Sequence, residues 1–106
     1  MIRNYLRGGV NALSWHVDNP MTGGDSWDVS AKDGVVASIL PDGTNHIKFL
    51  DWLDKLADYC NSLVTPEGTK IPILFRPWHE HTGSWFWWGK DHCTSEQYKT
   101  LWIMTY

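Results

Sequence analysis

Glu80 is the residue of this sequence whose surroundings most favour chemistry. It lies in the stretch RPWHEHTGSWFWWG, residues 76–89, between two histidines and close to four tryptophans. Aromatic crowding disfavours an ionised carboxylate, so we expect a raised pKa for Glu80. A carboxyl group that keeps its proton near neutral pH can act as a general acid, and glycoside hydrolysis needs such a group facing a second carboxylate. The pattern favours this role over that of an ordinary surface glutamate.

The second carboxylate of such a pair is not evident. The only other glutamates are Glu67, in a predicted turn, and Glu96, in the first turn of a predicted helix, where the helix dipole explains an acid. The nine aspartates fall in loops or on the polar face of a helix. We therefore expect the chain to supply a general acid/base, with the nucleophile outside it.

A metal site is the competing interpretation of the histidines. His79 and His81 have H-x-H spacing, which on a strand would place both on one side, and His16 ends another predicted strand. Three histidines could bind zinc. The motif is not H-E-x-x-H, however, because Gly83 stands where the second histidine would be, and the nearest acidic ligand already has the acid role. We expect neither a metal nor a cofactor.

Composition narrows the classes of function. The chain has 106 residues, a net charge of -3 and a sequence pI of about 5.9, which fits one small domain and argues against a nucleic-acid partner. No apolar stretch is long enough to span a membrane, and residues 1–10 lack the apolar core of a signal peptide. Cys60 and Cys93 specify no disulfide framework, and Cys60 is expected to be a buried thiol.

Tryptophan is unusually frequent, with eight residues in the chain. Residues 85–88, Trp-Phe-Trp-Trp, are consecutive, so their rings must point in different directions. Some of them are expected to line an open groove, where flat aromatic faces stack on pyranose rings, although filling a core is the simpler use of tryptophan. Arg76, at a strand end, is expected to pair with a carboxylate of the site.

Two strand–helix pairs are expected to position these residues. The patterns predict a strand at 10–15, a loop at 20–43 with a helical turn at 35–40, a helix at 45–64 capped by Thr44 or Asn45, a strand at 71–75 buried on both faces, and a helix from Thr94 with a Thr94–Gln97 capping box. Both strands would deliver polar and aromatic residues at their carboxyl ends. This order predicts an α/β fold, a partial (β/α)8 TIM barrel of about two βα units, because a whole barrel needs about 250 residues.

At this point the motifs resemble a known family. IPILFRPWHEHTGSWFWWG is similar to the acid/base signature of the glycoside hydrolase family 26 β-mannanases, GGVNALSWHVDNP to the end of the family's preceding strand, and TSEQYKTLW to its following helix. The resemblance extends from about Gly8 to Trp102. It implies that residues 1–106 are part of a catalytic domain truncated at both ends, from a retaining endo-β-1,4-mannanase whose nucleophile lies beyond Tyr106.

The resemblance also implies roles for individual residues. Glu80 would be the catalytic acid/base, with His79 orienting it, and mannan would be the polysaccharide partner. The substrate-binding residues expected from the motifs are His16, Trp85, Trp15, Arg76 and Trp88. The alternatives are a β-glucanase or β-1,3-xylanase of the same family and a non-catalytic carbohydrate-binding module. The full-length protein is expected to be secreted or cell-surface, and its oligomeric state is left open.

Overall fold

The computed structural model describes residues 1–106. Its helices are α1 (Ile2–Leu6), α2 (Val35–Ile39), α3 (His46–Ser62) and α4 (Ser95–Thr105), and its strands are β1 (Asn11–Ser14) and β2 (Ile73–Arg76). Two 3₁₀ turns, His81–Gly83 and Lys90–His92, lie between β2 and α4. Every predicted element is present, with bounds that differ by at most two residues, and α1 is an additional short helix that no pattern indicated.

The two strands form a parallel pair. Asn11 lies opposite Ile73 and Ser14 opposite Arg76, and α3 is in the crossover between the strands. The backbone N–H of Trp15 donates to the Arg76 carbonyl at 3.3 Å, just past the strands. Parallel strands end at the same edge of a sheet. The residues that follow β1 and those that follow β2 are therefore brought together, and the α/β prediction is confirmed at this level.

The helix ends follow the predicted chemistry in one case and depart from it in another. At α4 the capping box is complete, because Gln97 N–H donates to Thr94 Oγ1 at 3.1 Å and Thr94 N–H donates to Gln97 Oε1 at 2.9 Å. Asn45 is the N-cap of α3, but its side chain makes no capping hydrogen bond. Its Nδ2 instead donates to Ser38 Oγ at 3.2 Å, which ties the start of α3 to α2.

The prediction that the second strand is buried on both faces is wrong for this chain. Leu74 is 65% exposed and Phe75 37% exposed, because β2 has a neighbour on one side only. Cys60 is likewise only partly buried and lines an open apolar groove beside Ile73 and Met104. No helix combines the length and the apolar character that a bilayer crossing requires.

The core lies beyond the carboxyl ends of the strands rather than on the sheet. Three tryptophans, Trp78, Trp87 and Trp88, are wholly or almost wholly buried there with Phe49 of α3. Each buried indole N–H has an acceptor: Trp78 donates to Thr105 Oγ1 at 3.0 Å, Trp87 to the Val17 carbonyl at 3.0 Å, and Trp88 to the His79 carbonyl at 2.8 Å. Buried indoles need such partners. These bonds anchor the segment that contains Glu80 to α4 and to the end of β1.

Candidate active site

The candidate site lies where the segments that follow β1 and β2 meet. His16 comes two residues after β1, and His79 and Glu80 come three and four residues after β2. The backbone on either side of His79 is strained: Trp78 has φ 53° and Glu80 has φ 56°. The left-handed region is unfavourable for non-glycine residues, and a bulky residue such as tryptophan is an outlier there. Such strain costs about 1–3 kcal/mol per residue and is concentrated at functional sites.

Glu80 is held by one aromatic partner. Trp85 Nε1 donates to Glu80 Oε2 at 2.9 Å, and the Trp85 ring is 44% exposed. The expected crowding of Glu80 by several rings is not present in this chain, because Trp78, Phe86 and Trp87 are buried and the Glu80 side chain is exposed. Trp85 therefore both presents an aromatic face to solvent and fixes the orientation of the carboxylate.

His79 points to another histidine and not to Glu80. Its Nε2 lies 3.2 Å from His16 Nε2, and the two rings meet edge to face with centroids 4.6 Å apart. His79 is buried and His16 is exposed. Phe86 packs against both rings, at 5.5 Å from His16 and 5.2 Å from His79. In this structure His79 contacts and supports the exposed imidazole of His16, whereas His79 was expected to orient Glu80.

The electrostatics of His79 follow from this packing. Burial lowers the pKa of His79, and the neighbouring His16 and Arg76 lower it further, while Glu80 acts in the opposite direction. Two imidazole nitrogens that face each other at hydrogen-bonding distance share one hydrogen, so one ring must accept. His79 Nδ1 is buried without a hydrogen-bond partner. The neutral form of His79 is therefore favoured, and it leaves His16 available to a ligand.

His81 is turned away from this pair. Its Nδ1 donates to the Trp88 carbonyl at 2.8 Å, and its ring stacks on Tyr98 with centroids 3.6 Å apart. H-x-H spacing was expected to place both histidines on one side, but left-handed Glu80 between them breaks the alternation of a strand. The three-histidine metal alternative consequently lacks its third ligand, and no group of three or more potential metal-binding side chains is present.

The remaining predicted binding residues divide into three cases. Trp88 is wholly buried, so its prediction as a substrate-binding ring is wrong: no face of it is open to a sugar. Trp15 is half-buried against Phe49 and Trp78 and lines a shallow open groove with His16. Arg76 is exposed and its Nη1 donates only to Ser14 Oγ, at 3.4 Å, so the predicted carboxylate partner is not supplied by this chain.

Trp27 is an accessible ring that the sequence patterns did not single out. It is 59% exposed and packs on Phe86 with centroids 4.8 Å apart, on the same phenyl ring that contacts both histidines. Its loop is ordered by the side chain of buried Asn19, which donates to the Asp28 carbonyl at 2.9 Å, and by the backbone N–H of Trp87, which donates to the Ser26 carbonyl at 3.1 Å. The only signal for Trp27 was its residue type within an irregular loop.

The loop also holds an acidic side chain in its ionised form. Hydrogen bonds from Ser30 and Thr22 lower the pKa of Asp28. Thr22 Oγ1 donates to Asp28 Oδ2 at 2.6 Å, and Ser30 N–H donates to Asp28 Oδ1 at 3.0 Å. Asp28 therefore stabilises the loop that carries Trp27, because both of its carboxylate oxygens accept hydrogen bonds from that loop.

The assembled groups define what the site can do. One carboxylate is oriented by an indole N–H, and the accessible imidazole of His16 contacts the buried imidazole of His79. Two exposed indole rings accompany them: Trp85 contacts Glu80, and Trp27 packs on Phe86, which contacts both histidines. A carboxylate in a fixed orientation can exchange a proton with a bound oxygen, and the imidazole can hydrogen-bond a hydroxyl group. The exposed rings offer flat apolar faces. This combination suits a polyhydroxylated ligand.

Comparison with known proteins agrees with this chemistry. The sequence profile of glycosyl hydrolase family 26 matches residues 1–106. The chain is 42% identical over 95 residues to a mannan endo-1,4-beta-mannosidase of Bifidobacterium adolescentis, covering 90% of this chain and 9% of that protein. It is 34% identical over 109 residues to a mannan endo-1,4-beta-mannosidase of Bacillus subtilis strain 168, covering 96% of this chain and 29% of the relative.

A solved structure is similar at closer range. The chain superimposes on a GH26 beta-mannanase from Bacteroides ovatus with a TM-score of 0.95 and 65% sequence identity, over 98% of this chain and 30% of that structure. The chain thus spans less than a third of each of these three proteins. A profile match along the whole chain, with this structural agreement, establishes that the chain belongs to glycosyl hydrolase family 26.

Proposed function

We propose that the chain is the acid/base-bearing part of a retaining endo-β-1,4-mannanase. The observation that carries the proposal is the 2.9 Å hydrogen bond from Trp85 to Glu80, made at the carboxyl end of a parallel strand on a strained backbone. The relatives named above as mannan endo-1,4-beta-mannosidases support mannan as the substrate. The nucleophile would come from outside residues 1–106.

We further propose that residues 1–106 form about two βα units of a (β/α)8 barrel, as part of one catalytic domain. The parallel β1–β2 pair with α3 in its crossover is the repeating unit of such a barrel. The exposed residues of β2 would be covered by neighbouring strands and by the barrel interior. Active sites of these barrels gather at the carboxyl ends of the strands, where Glu80 lies.

In the first step, Glu80 would donate its proton to the glycosidic oxygen. The bond between that oxygen and the anomeric carbon breaks, while an oxygen of the external carboxylate bonds to the same carbon. The leaving sugar departs as an alcohol, and Glu80 is left ionised. The indole N–H of Trp85 would stabilise this ionised form, because the charge is shared by both carboxylate oxygens and the indole donates to one of them, Oε2.

In the second step, ionised Glu80 would take a proton from water. The water oxygen bonds to the anomeric carbon, the bond to the external carboxylate breaks, and the configuration at that carbon is restored. Glu80 ends protonated, ready for the next cycle. The exposure of Glu80 in this chain is compatible with water reaching it once the leaving sugar has gone.

Around this carboxylate the other groups would bind sugar. His16 would hydrogen-bond a hydroxyl group at the cleavage point, and buried His79 would hold it there through the 3.2 Å contact. Trp85 would present its exposed face to a neighbouring sugar. Degradation of an insoluble polysaccharide also requires the enzyme to reach it, so we propose that the full-length protein is secreted or carried at the cell surface.

The test is Glu80→Gln in the full-length protein, with Glu67→Gln as the matched control, because Glu67 is an exposed turn residue. We expect turnover of mannan to fall by about 10²–10⁴-fold, the usual contribution of general acid–base catalysis. An aryl mannoside with a good leaving group needs no protonation in the first step, so its glycosylation should be affected much less. Turnover of mannan equal to that of Glu67→Gln would refute the assignment.

The same protein would distinguish the alternatives. Hydrolysis rates on mannan, mixed-linkage β-glucan and β-1,3-xylan assign the sugar, and we expect mannan to be the preferred substrate. Retention on immobilised mannan without any hydrolysis would instead favour a non-catalytic carbohydrate-binding module.

A further inference from the structure

Gly83 lies directly beneath the aromatic ring that holds Glu80. It ends the 3₁₀ turn His81–Gly83, and its N–H donates to the Glu80 carbonyl at 3.0 Å. Glu80 before the turn and Ser84 after it both have left-handed backbone, with φ 56° and 61°. The chain therefore doubles back sharply, and the side chain of Trp85 returns across Gly83 towards the Glu80 carboxylate.

The approach of the ring leaves no room for a side chain at position 83. A β-carbon added to Gly83 would lie closer than 3.0 Å to three atoms of Trp85, namely Cη2, Cζ2 and Cζ3, and real β-carbons essentially never come so close to another atom. These atoms belong to the six-membered part of the indole. The Nε1 atom of the same ring is the donor to Glu80 Oε2. The absence of a side chain and the hydrogen bond to the carboxylate are thus two consequences of one ring position.

We propose that Gly83 is a positioning residue for the acid/base, acting through Trp85: only glycine lets the indole lie where its N–H meets Glu80. The proposal rests on the proposed role of Glu80 and adds to it. The requirement is for space and not for an unusual backbone angle, since Gly83 does not have a positive φ. Alanine is therefore compatible with the backbone, and the strain falls on the Trp85 ring.

The ring can yield without loss of the fold. Trp85 is 44% exposed and is not part of the buried core, unlike its neighbours Phe86 and Trp87. A methyl group at position 83 is expected to push the indole outward, and a retreat of about 1 Å takes a bond of 2.9 Å out of hydrogen-bonding range. Gly83→Ala should therefore resemble a loss of the Trp85 contact more than a loss of stability.

The kinetic test uses the full-length protein and five variants. Trp85→Phe removes the donor and keeps a ring, Trp85→Ala removes both, and Gly34→Ala is the matched control, because a β-carbon there meets only Met21 at 3.5 Å among side chains, an ordinary contact. We expect Gly83→Ala and Trp85→Phe each to lower kcat on short oligosaccharides about tenfold, and Gly34→Ala to leave it unchanged. The double variant Gly83→Ala/Trp85→Ala should be no slower than Trp85→Ala alone.

A full additional loss in the double variant, or wild-type kcat in Gly83→Ala, would overturn the proposal. Thermal unfolding is measured in parallel. If Gly83→Ala destabilises the protein, relief of that destabilisation by Trp85→Ala supports the same contact, whereas persistence of it refutes the contact.

A spectroscopic measurement keeps this inference separate from the proposed function. In full-length protein labelled with ¹⁵N-tryptophan, the indole N–H signal of Trp85 is identified by its loss in Trp85→Phe. Its chemical shift should change when the acceptor is altered in Glu80→Gln, should likewise change in Gly83→Ala, and should keep its wild-type value in Gly34→Ala. A Trp85 indole signal that keeps its wild-type position in Gly83→Ala refutes the inference even if the protein hydrolyses no mannan.

Discussion

Acidification should break the contact between His79 and His16, and the resulting decrease in the free energy of unfolding can be measured. The facing Nε2 atoms are 3.2 Å apart and share one hydrogen. When both rings are protonated, each Nε2 carries a hydrogen, and two N–H donors face each other. With ring centroids 4.6 Å apart, the repulsion of two imidazolium ions is about 1–4 kcal/mol for effective dielectric constants of about 80 to 20. The buried ring of His79 adds the cost of placing a charge away from water.

The direction of the effect follows from the lowered pKa of His79. The folded state binds this proton less readily than the unfolded state. The contribution of His79 to stability is therefore fully present at pH values above the ordinary histidine pKa of about 6.5. As pH falls below 6.5 towards the lowered pKa, the unfolded state gains more protons than the folded state. Stability then decreases by at most about 1.4 kcal/mol per pH unit for this one group.

Denaturant unfolding of the full-length protein between pH 5 and 8 measures this slope. We expect the wild type to lose stability below pH 6.5 more steeply than His79→Gln, which cannot be protonated. His46→Gln is the matched control, because the His46 ring meets the Ile39 carbonyl on another part of the chain. If wild type and His79→Gln have parallel pH profiles while remaining folded, then His79 carries no unfavourable proton and the reasoning is refuted.

Two further substitutions separate surface rings from core rings. Trp27→Ala removes a ring that is 59% exposed, so we expect the melting temperature to stay unchanged. The KM for oligosaccharides should rise severalfold, which corresponds to about 1 kcal/mol of lost stacking on the sugar. An unchanged KM would contradict the placement of Trp27 in the site. Trp88→Ala removes a wholly buried ring together with its bond to the His79 carbonyl, so we expect about 3–5 kcal/mol of destabilisation in denaturant unfolding. A Trp88→Ala protein of wild-type stability with impaired binding would restore the sugar-contact role.

Local patterns were sufficient wherever the determining interactions are local. The capping box at Thr94 and Gln97 was predicted because both partners lie within one helical turn, and both hydrogen bonds are present. The parallel arrangement of β1 and β2 followed from strand–helix–strand order, since a crossover helix leaves the second strand running in the same direction. The position of Glu80 at the carboxyl end of β2 follows from the same order.

The orientation of side chains in the site was decided by tertiary structure. A sequence gives no sign that Trp78 and Glu80 adopt left-handed backbone, and these two residues turn His79 inward and separate it from His81. The partner of His79 is His16, which is 63 residues away in the sequence. The acceptor of the Trp88 indole N–H is the backbone carbonyl of His79, whose position depends on the same left-handed turn. The sequence therefore could not predict which rings in the run of four aromatic residues are buried, like Trp88, and which are exposed, like Trp85.

What the sequence determined by itself is the acid/base candidate and the parallel unit that presents it. Only the tertiary structure decided how that carboxylate is held, by the Trp85 indole lying over Gly83, and which imidazole faces outward, His16 supported by His79. The physical reason is that residue type and spacing determine local hydrogen bonds and the periodicity of burial. Contacts through space depend instead on where a strained loop returns the chain.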